Sequence, residues 1–449
     1  MRYEILMLIT CLIIVLYSVL ALFNQGLWWD EAVYLSLGRS ILHGSYSLND
    51  TYPVESFRPP LFPLILSLFS WSIITGRVFS ILLSLAAIVS LYVVCREVFG
   101  REHAHWSLLL FVSNPWFIFF AGKILTEMLF ISLVSLSLLV FFRYINKGDK
   151  KYLVILGFLS GLCFLTKYFG WIVIVSYLLC LLFRKKDDVL PYMLFLVITL
   201  LPWFMMNVYY YENPLGSLYT NWEVYSKAAL GKAGLEDLFI FLGLLTFLIP
   251  FYFFRFGLKK EHMPLWTMFF ISMMVFVLLP YREIRYFLSF LPVYVILGVT
   301  GFLKFMRSKK ILSLIIIICC VATSLVGLNY VWLDRDSAKG LVEACVYLKS
   351  VTKPNETIMT ESYPYVKYIA ERSFVKFPTD SNRVTGLLRD YNIRYVLVYR
   401  FEPGNPEYVN DYFTTENGFE PVRNFSQWGR KDAVTIYRFL GNFSSFLNH

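Results

Sequence analysis

Residues 76–120 read GRVFSILLSLAAIVSLYVVCREVFGREHAHWSLLLFVSNPWFIFF, two apolar runs parted by a short connection that carries Arg96 and Arg101. Each run approaches the ~20 residues a helix needs to cross the hydrocarbon core of a bilayer. Working outward in both directions, the pattern repeats. Apolar segments at 5–23, 76–95, 104–120, 127–142, 152–166, 169–183, 189–206, 237–254, 264–280, 286–303 and 311–332 predict about eleven transmembrane helices in a mainly α polytopic protein. Segment 61–74 is also apolar, but its Pro-rich entry and short length mark an interfacial or re-entrant piece. Residues 5–23 follow Arg2 as a signal peptide would. No small-x-small pattern closes the run, so it reads as an uncleaved first helix.

Composition agrees. The chain has 449 residues, 57% hydrophobic and only 16% charged, too few charges to cover a soluble protein of this size. The net charge of +10 at pH 7 is read as Lys and Arg retained in cytoplasmic loops, not as a nucleic-acid footprint. Six of the seven cysteines fall in apolar runs and Cys345 stands alone in the polar tail, which speaks against a disulfide framework. No internal repeat, low-complexity run or nucleotide-binding glycine motif is present.

Charge orders the connections. One alternate set is densely basic: Arg96 and Arg101; Arg143, Lys147, Lys150 and Lys151; Arg184, Lys185 and Lys186; Arg255, Lys259 and Lys260; Lys304, Arg307, Lys309 and Lys310. The positive-inside rule puts these in the cytoplasm together with the N-terminus. An odd number of spans then leaves the tail outside, in a multi-pass protein of the cell membrane. The sequons at Asn49, Asn355, Asn424 and Asn442 all fall in segments so assigned. Residues 1–335 are expected to form the membrane domain, with a long first outer loop at 24–75. From about 336 to 449, strand-like runs at 356–360, 394–400 and 433–439 alternate with helical stretches near 338–350, 362–371 and 382–391. That pattern predicts a small α/β domain on the outer face, with a stabilising or acceptor-guiding role.

The outer connections hold the candidate chemistry. The first opens with Trp28-Trp29-Asp30-Glu31, and acids just past a span cost energy unless solvated or paired. On a helix neighbouring side chains diverge by about 100°, so one carboxylate can face a site while the other holds a loop. The equal alternative is structural: Asp30 as the N-cap of a helix over 31–42. Arg58-Pro59-Pro60 adds a fixed cation. Lys123 and Thr126-Glu127 occupy the next outer connection, where Glu127 also suits a helix start electrostatically. Lys167 stands at an outer turn, and snorkelling is its plainer reading. Tyr281-Arg282-Glu283-Ile284-Arg285-Tyr286 packs two arginines at the outer edge, against the charge trend, where guanidinium groups suit a lipid phosphate.

Three stretches carry a resemblance: Asp30-Glu-Ala-Val-Tyr-Leu-Ser-Leu-Gly-Arg39, Phe57-Arg-Pro-Pro-Leu-Phe-Pro63 and Arg285-Tyr-Phe-Leu-Ser-Phe-Leu-Pro292, with weaker echoes at Asn114-Pro115, Thr126-Glu127 and Thr166-Lys167-Tyr168. In their order and outward placement they resemble the GT-C membrane glycosyltransferases, specifically family 39, which contains the protein O-mannosyltransferases and the lipid A aminoarabinose transferase. The resemblance spans roughly residues 1–335, and the tail is similar to the outer domains of prokaryotic relatives. It implies inverting transfer of a sugar from a polyprenyl- or dolichyl-phosphate donor to a hydroxyl of a protein, glycan or lipid on the outer face. Asp30 would be the general base, Glu31 its orienting partner and Glu127 the second acid. Arg58, Lys167, Arg282 and Arg285, with Tyr286 beside it, would contact the lipid phosphate. Many relatives carry a small or neutral residue where Lys123 stands, which leaves its role open.

The competing class is a transporter or flippase of lipid-linked sugars, for which pseudo-repeats and mid-membrane charges would be expected. An oligosaccharyltransferase is disfavoured because the Trp-Trp-Asp triplet lies in the membrane loop and not in the tail. Asp30, Glu31 and Glu127 could hold a hard divalent cation through oxygen, although the family resemblance leans against a required one. No nucleic acid is expected as a partner.

Overall fold

A computed structural model describes residues 3–48, 58–69, 72–227, 238, 241–278, 283–306 and 310–441. Arg282 and the sequons at Asn49 and Asn442 lie outside the described residues.

The chain divides into two compact units, Met1–Phe23 with Ser56–Leu333, and Asn24–Glu55 with Asp334–His449. The first loop therefore splits: its acidic first half packs with the tail, and the stretch from residue 56 onward packs with the membrane helices. The second unit thus joins part of the first loop to the tail from Asp334 onward.

In the first unit the apolar segments fall in the expected order. Among the described residues, six helices are long and apolar enough to span: α1 (Tyr3–Leu22), α4 (Ile73–Val98), α7 (Glu127–Lys147), the stretches Lys186–Tyr211 and Lys260–Leu278, and the helix Lys310–Leu333. The apolar helix pair α5 (Arg101–Val112) and α6 (Pro115–Ala121) is bent by 71° at the break between them. Four shorter apolar helices lie at Lys151–Thr166, Tyr168–Arg184, Leu245–Phe254 and Leu291–Leu303. Multi-pass membrane architecture follows. Phe183, Leu190 and Phe254 are mostly exposed, apolar surface that lipid and not water would cover. The apolar segment after residue 60 forms only α3 (Leu61–Ser67), too short to span, as its Pro-rich entry predicted.

The α5–α6 bend has a local cause. Pro115 cannot donate to the ladder, and Asn114 starts a new helix by accepting from the Trp116 and Phe117 N–H groups, each at 3.1 Å. Close helix packing uses small residues. In α8 (Lys151–Thr166), Gly157 and Gly161 face α10 (Val189–Tyr211), where a Cβ on Gly157 would lie 2.2 Å from the Tyr192 carbonyl oxygen. This spacing of two small residues lets backbones approach in a medium without a hydrophobic drive for association.

The second unit is built on a five-stranded sheet in the order β2-β1-β3-β5-β4. Its strands are β1 (Thr357–Met359), β2 (Ser373–Val375), β3 (Tyr395–Tyr399), β4 (Phe419–Gln427) and β5 (Arg430–Phe439). β1 pairs in parallel with β2 and β3, while β5 runs antiparallel to β3 and β4. Buried Ile393, Val396, Val398, Phe413, Phe419 and Phe439 belong to its core. Arg372, nearly buried, donates to the Lys349 and Thr352 carbonyls at 3.1 and 2.6 Å and so satisfies the end of helix Lys339–Val351. The expected helices and three expected strands are found, together with two edge strands, β2 and β4.

Candidate active site

In the membrane unit three sequence-distant segments meet at helix ends assigned to the outside. Glu127 is the first residue of α7. Lys167 is held in an extended backbone (φ −154°, ψ 130°) directly after α8 and ahead of the short turn Tyr168–Gly170. Gly170 makes that turn fit, since a Cβ there would lie 2.4 Å from the Phe164 nitrogen. The third segment is the short helix Ile284–Leu288, which packs near α6 and α7.

Lys167 donates to Glu127 Oε1 at 3.0 Å, with Glu127 almost wholly withdrawn from solvent. Two longer donations reach Ser289 Oγ at 3.3 Å and the Arg285 carbonyl at 3.4 Å. The ammonium also sits 5.5 Å from the centre of the Tyr286 ring. Burial pulls the Lys167 amine below the usual lysine range; Glu127 opposes this, and the Arg285 charge adds to it. Two cations this close favour an anion between or beside them. Arg285 itself pairs with Glu283 through its Nε.

Glu127 is only half satisfied. Its second oxygen, Oε2, is buried and has no hydrogen-bond partner among the described residues. A buried carboxylate oxygen in that state costs on the order of 1–3 kcal/mol, which an incoming hydroxyl would relieve.

Arg77, Lys123 and Arg58 are further cations of this unit. Arg77, in α4, is buried and donates to the Gly122 carbonyl at 3.0 Å, at the end of α6. Reading the sequence missed it, because the residue lies inside an apolar run. The signal was available, since an arginine near a span end that the charge pattern assigns to the outside opposes the same trend that singled out Arg285. Lys123 is buried, with its ammonium 5.3 Å from the Phe119 ring centre. Arg58 is half-buried just ahead of α3, which packs against α8, the helix that ends at Lys167.

An apolar cavity of about 570 Å³ opens in the same unit. Tyr168, Phe169 and Tyr286 line it on one side, Leu218 and Trp222 of α11 (Gly216–Lys227) and Val275 on others. Tyr286 thus borders both the cavity and the Lys167 ammonium.

The acidic pair belongs to the second unit. Helix α2 (Trp29–Leu42) begins earlier than 31, with Trp28 as its cap residue. Asp30 is therefore a first-turn residue and not the N-cap. The capping is done by Glu31, fully buried, whose Oε2 accepts from the Trp28 backbone N–H at 2.8 Å. Tyr365 donates to the Leu27 carbonyl at 2.8 Å, and burial holds its phenol well above the usual range, so it stays a donor. Asp30 is half-buried in this frame. Among the described residues, no three His, Cys, Asp or Glu side chains form a metal-ligand group.

Residues 58–210 match the family model described as dolichyl-phosphate-mannose-protein mannosyltransferase. No curated protein sequence matches the chain. Among solved structures, ArnT from Cupriavidus metallidurans bound to undecaprenyl phosphate is similar over 99% of both chains, with 11% identity and a TM-score of 0.68. Its apo state gives 12% identity and a TM-score of 0.66, over 96% of this chain and 97% of that one. The apo oligosaccharyltransferase of Archaeoglobus fulgidus is similar over 87% of this chain and 69% of that one, with 13% identity and a TM-score of 0.59. The chain shares the fold of ArnT, the kind of fold that the motif resemblance implied.

Proposed function

We propose that the chain is a membrane glycosyltransferase that moves a sugar from a polyprenyl- or dolichyl-phosphate to an acceptor hydroxyl on the outer face. The observation that carries this is the buried Lys167–Glu127 pair, with one carboxylate oxygen unfilled, linked through Tyr286 to an apolar cavity. A lipid-linked sugar phosphate has three parts that suit these surroundings. The prenyl chain suits an aromatic and aliphatic cavity. Its phosphate suits the Lys167 and Arg285 charges, and a sugar hydroxyl suits Glu127 Oε2. Lys167 already aims its donors at three acceptors, so Arg285 is the better direct phosphate contact and Lys167 supplies charge.

The family-model match and the likeness to a fold solved with undecaprenyl phosphate support the same reading. In it, Asp30 takes the proton of the acceptor hydroxyl as that oxygen bonds to the anomeric carbon. The bond from carbon to the phosphate oxygen breaks on the opposite face, and its electron pair leaves on the phosphate. Inversion results. A phosphate leaves as an anion, so neighbouring cations matter more than a general acid. The acceptor is a protein, glycan or lipid hydroxyl.

The test is glycan analysis of cell envelope and glycoproteins after deletion, with complementation by wild type and by Asp30→Asn. One missing sugar, restored only by wild type, supports transfer. Restoration by Asp30→Asn contradicts the general-base role of Asp30. Lipid-linked sugar trapped on the inner face would instead identify a flippase.

A further inference from the structure

The loop that carries Asp30 is knitted to the first residues after the last span. Gln25 and Gly26 donate their backbone N–H groups to the Arg335 carbonyl at 2.9 and 2.7 Å, and Leu27 donates to the Ser337 carbonyl at 3.1 Å. Gly26 is required by this closeness, because a Cβ there would lie 2.4 Å from Ser337 Oγ and 2.8 Å from the Asp334 carbonyl oxygen. Asp334 is the centre of the arrangement. Its Oδ1 accepts from the Trp28 indole Nε1 at 2.8 Å, and its Oδ2 accepts from Asn24 Nδ2 at 3.4 Å.

Trp28 is held at both ends. Its indole N–H goes to Asp334, and its backbone N–H goes to Glu31 Oε2. The residue immediately before α2 is therefore fixed in position and in direction, and Asp30 follows two residues later. A short charge-assisted bond from an indole to a carboxylate is among the stronger hydrogen bonds a protein makes. A base displaced by about 1 Å from its productive position loses roughly 100-fold in rate.

We infer that Asp334 is a positioning residue for the transfer reaction, acting through Trp28 on the first turn of α2 and hence on Asp30. The outer domain then does more than stabilise the protein or guide an acceptor. It carries Asp30, the residue to which this reading gives the role of base. This rests on the reading of Asp30 as general base.

The test uses the full chain in detergent or nanodiscs, with farnesyl- and decaprenyl-phosphate mannose, glucose and aminoarabinose as donor probes and release of prenyl phosphate as readout. With the best probe, Asp334→Ala is expected to lower kcat about 10- to 100-fold while the donor KM stays within about twofold. Asp334→Asn, which keeps an acceptor oxygen for the indole, should recover kcat to within about threefold of wild type. Trp28→Phe removes only the donor and keeps an aromatic ring; it should match Asp334→Ala, and the double variant should be no worse than either single one. If Asp334→Ala fails to fold, Trp28→Phe carries the test. Asp30→Asn is run beside them. Inactive Asp30→Asn with wild-type kcat in Asp334→Ala and Trp28→Phe overturns the positioning role and leaves the base reading standing. Active Asp30→Asn overturns the base reading itself. A raised donor KM at constant kcat in Asp334→Ala also overturns the inference, because it would place Asp334 in donor binding.

Discussion

Lys167 donates to Glu127 across 3.0 Å, with the carboxylate side chain buried in the membrane unit. The two residues are 40 positions apart, and each is costly there without the other. Lys167→Met or Glu127→Leu alone should destabilise the protein by about 3–5 kcal/mol, since each leaves an uncompensated buried charge. The double variant should recover much of that loss, and thermal unfolding in detergent measures it. All three should lose transfer. Retained transfer in the double variant would show that the pair serves stability alone.

Asp30→Asn should abolish transfer and leave expression and membrane insertion intact, because Asp30 is not the helix cap. Glu31→Ala should behave differently. It removes the acceptor of the Trp28 N–H, at a cost of about 1 kcal/mol, and lowers activity in part. Assays at saturating donor, alongside a thermal melt, separate the two.

Arg285→Ala should raise the donor KM by at least about tenfold, the equivalent of one charge-assisted hydrogen bond, with the acceptor KM little changed. Equal effects on both would remove Arg285 from the phosphate site.

Val275→Trp should fill part of the apolar cavity that Tyr286 borders. Discrimination by prenyl length is the readout. Decaprenyl-phosphate donors should lose about tenfold in kcat/KM, as the cost of excluding one or two buried methylenes, and farnesyl-phosphate donors less.

The second unit offers a pH test. Burial, with Glu361 nearby, raises the Glu402 carboxyl from its ordinary 4.5 to about 7, against the Ser362 hydroxyl that donates to it at 2.9 Å. A raised folded pKa means the folded state holds the extra proton between those values. The associated stability is thus fully present below about pH 4.5 and is lost as pH rises through 7. Glu402→Gln should leave resistance of this unit to limited proteolysis unchanged near pH 4.5 and raise it at pH 8. An equal effect at both pH values would contradict the titration.

The spans were legible because a bilayer demands a fixed apolar length whatever the partners, and a run of residues displays that length directly. Asn114-Pro115 is a cap and a breaker together, so the bend there is local in origin. Strands β1, β3 and β5 were legible too. β4 was not: Pro421 and a run of exposed residues suit an edge strand, whose only partner is β5. Three-residue β2 is too short to show a period.

The candidate site divides in the same way. Sequence by itself indicated that charged groups of the connections stand at span ends, because ions leave hydrocarbon, and it singled out Asp30, Glu127, Lys167 and Arg285 as candidates. Only tertiary structure decided which charges pair. Glu127 meets Lys167 because the start of α7 and the end of α8 come together, and no local period encodes that meeting. Tertiary structure also brought buried Arg77 to the end of α6 and tied Trp28 to Asp334, contacts that join residues 45 and 306 positions apart, where packing and not the local chain sets the distance.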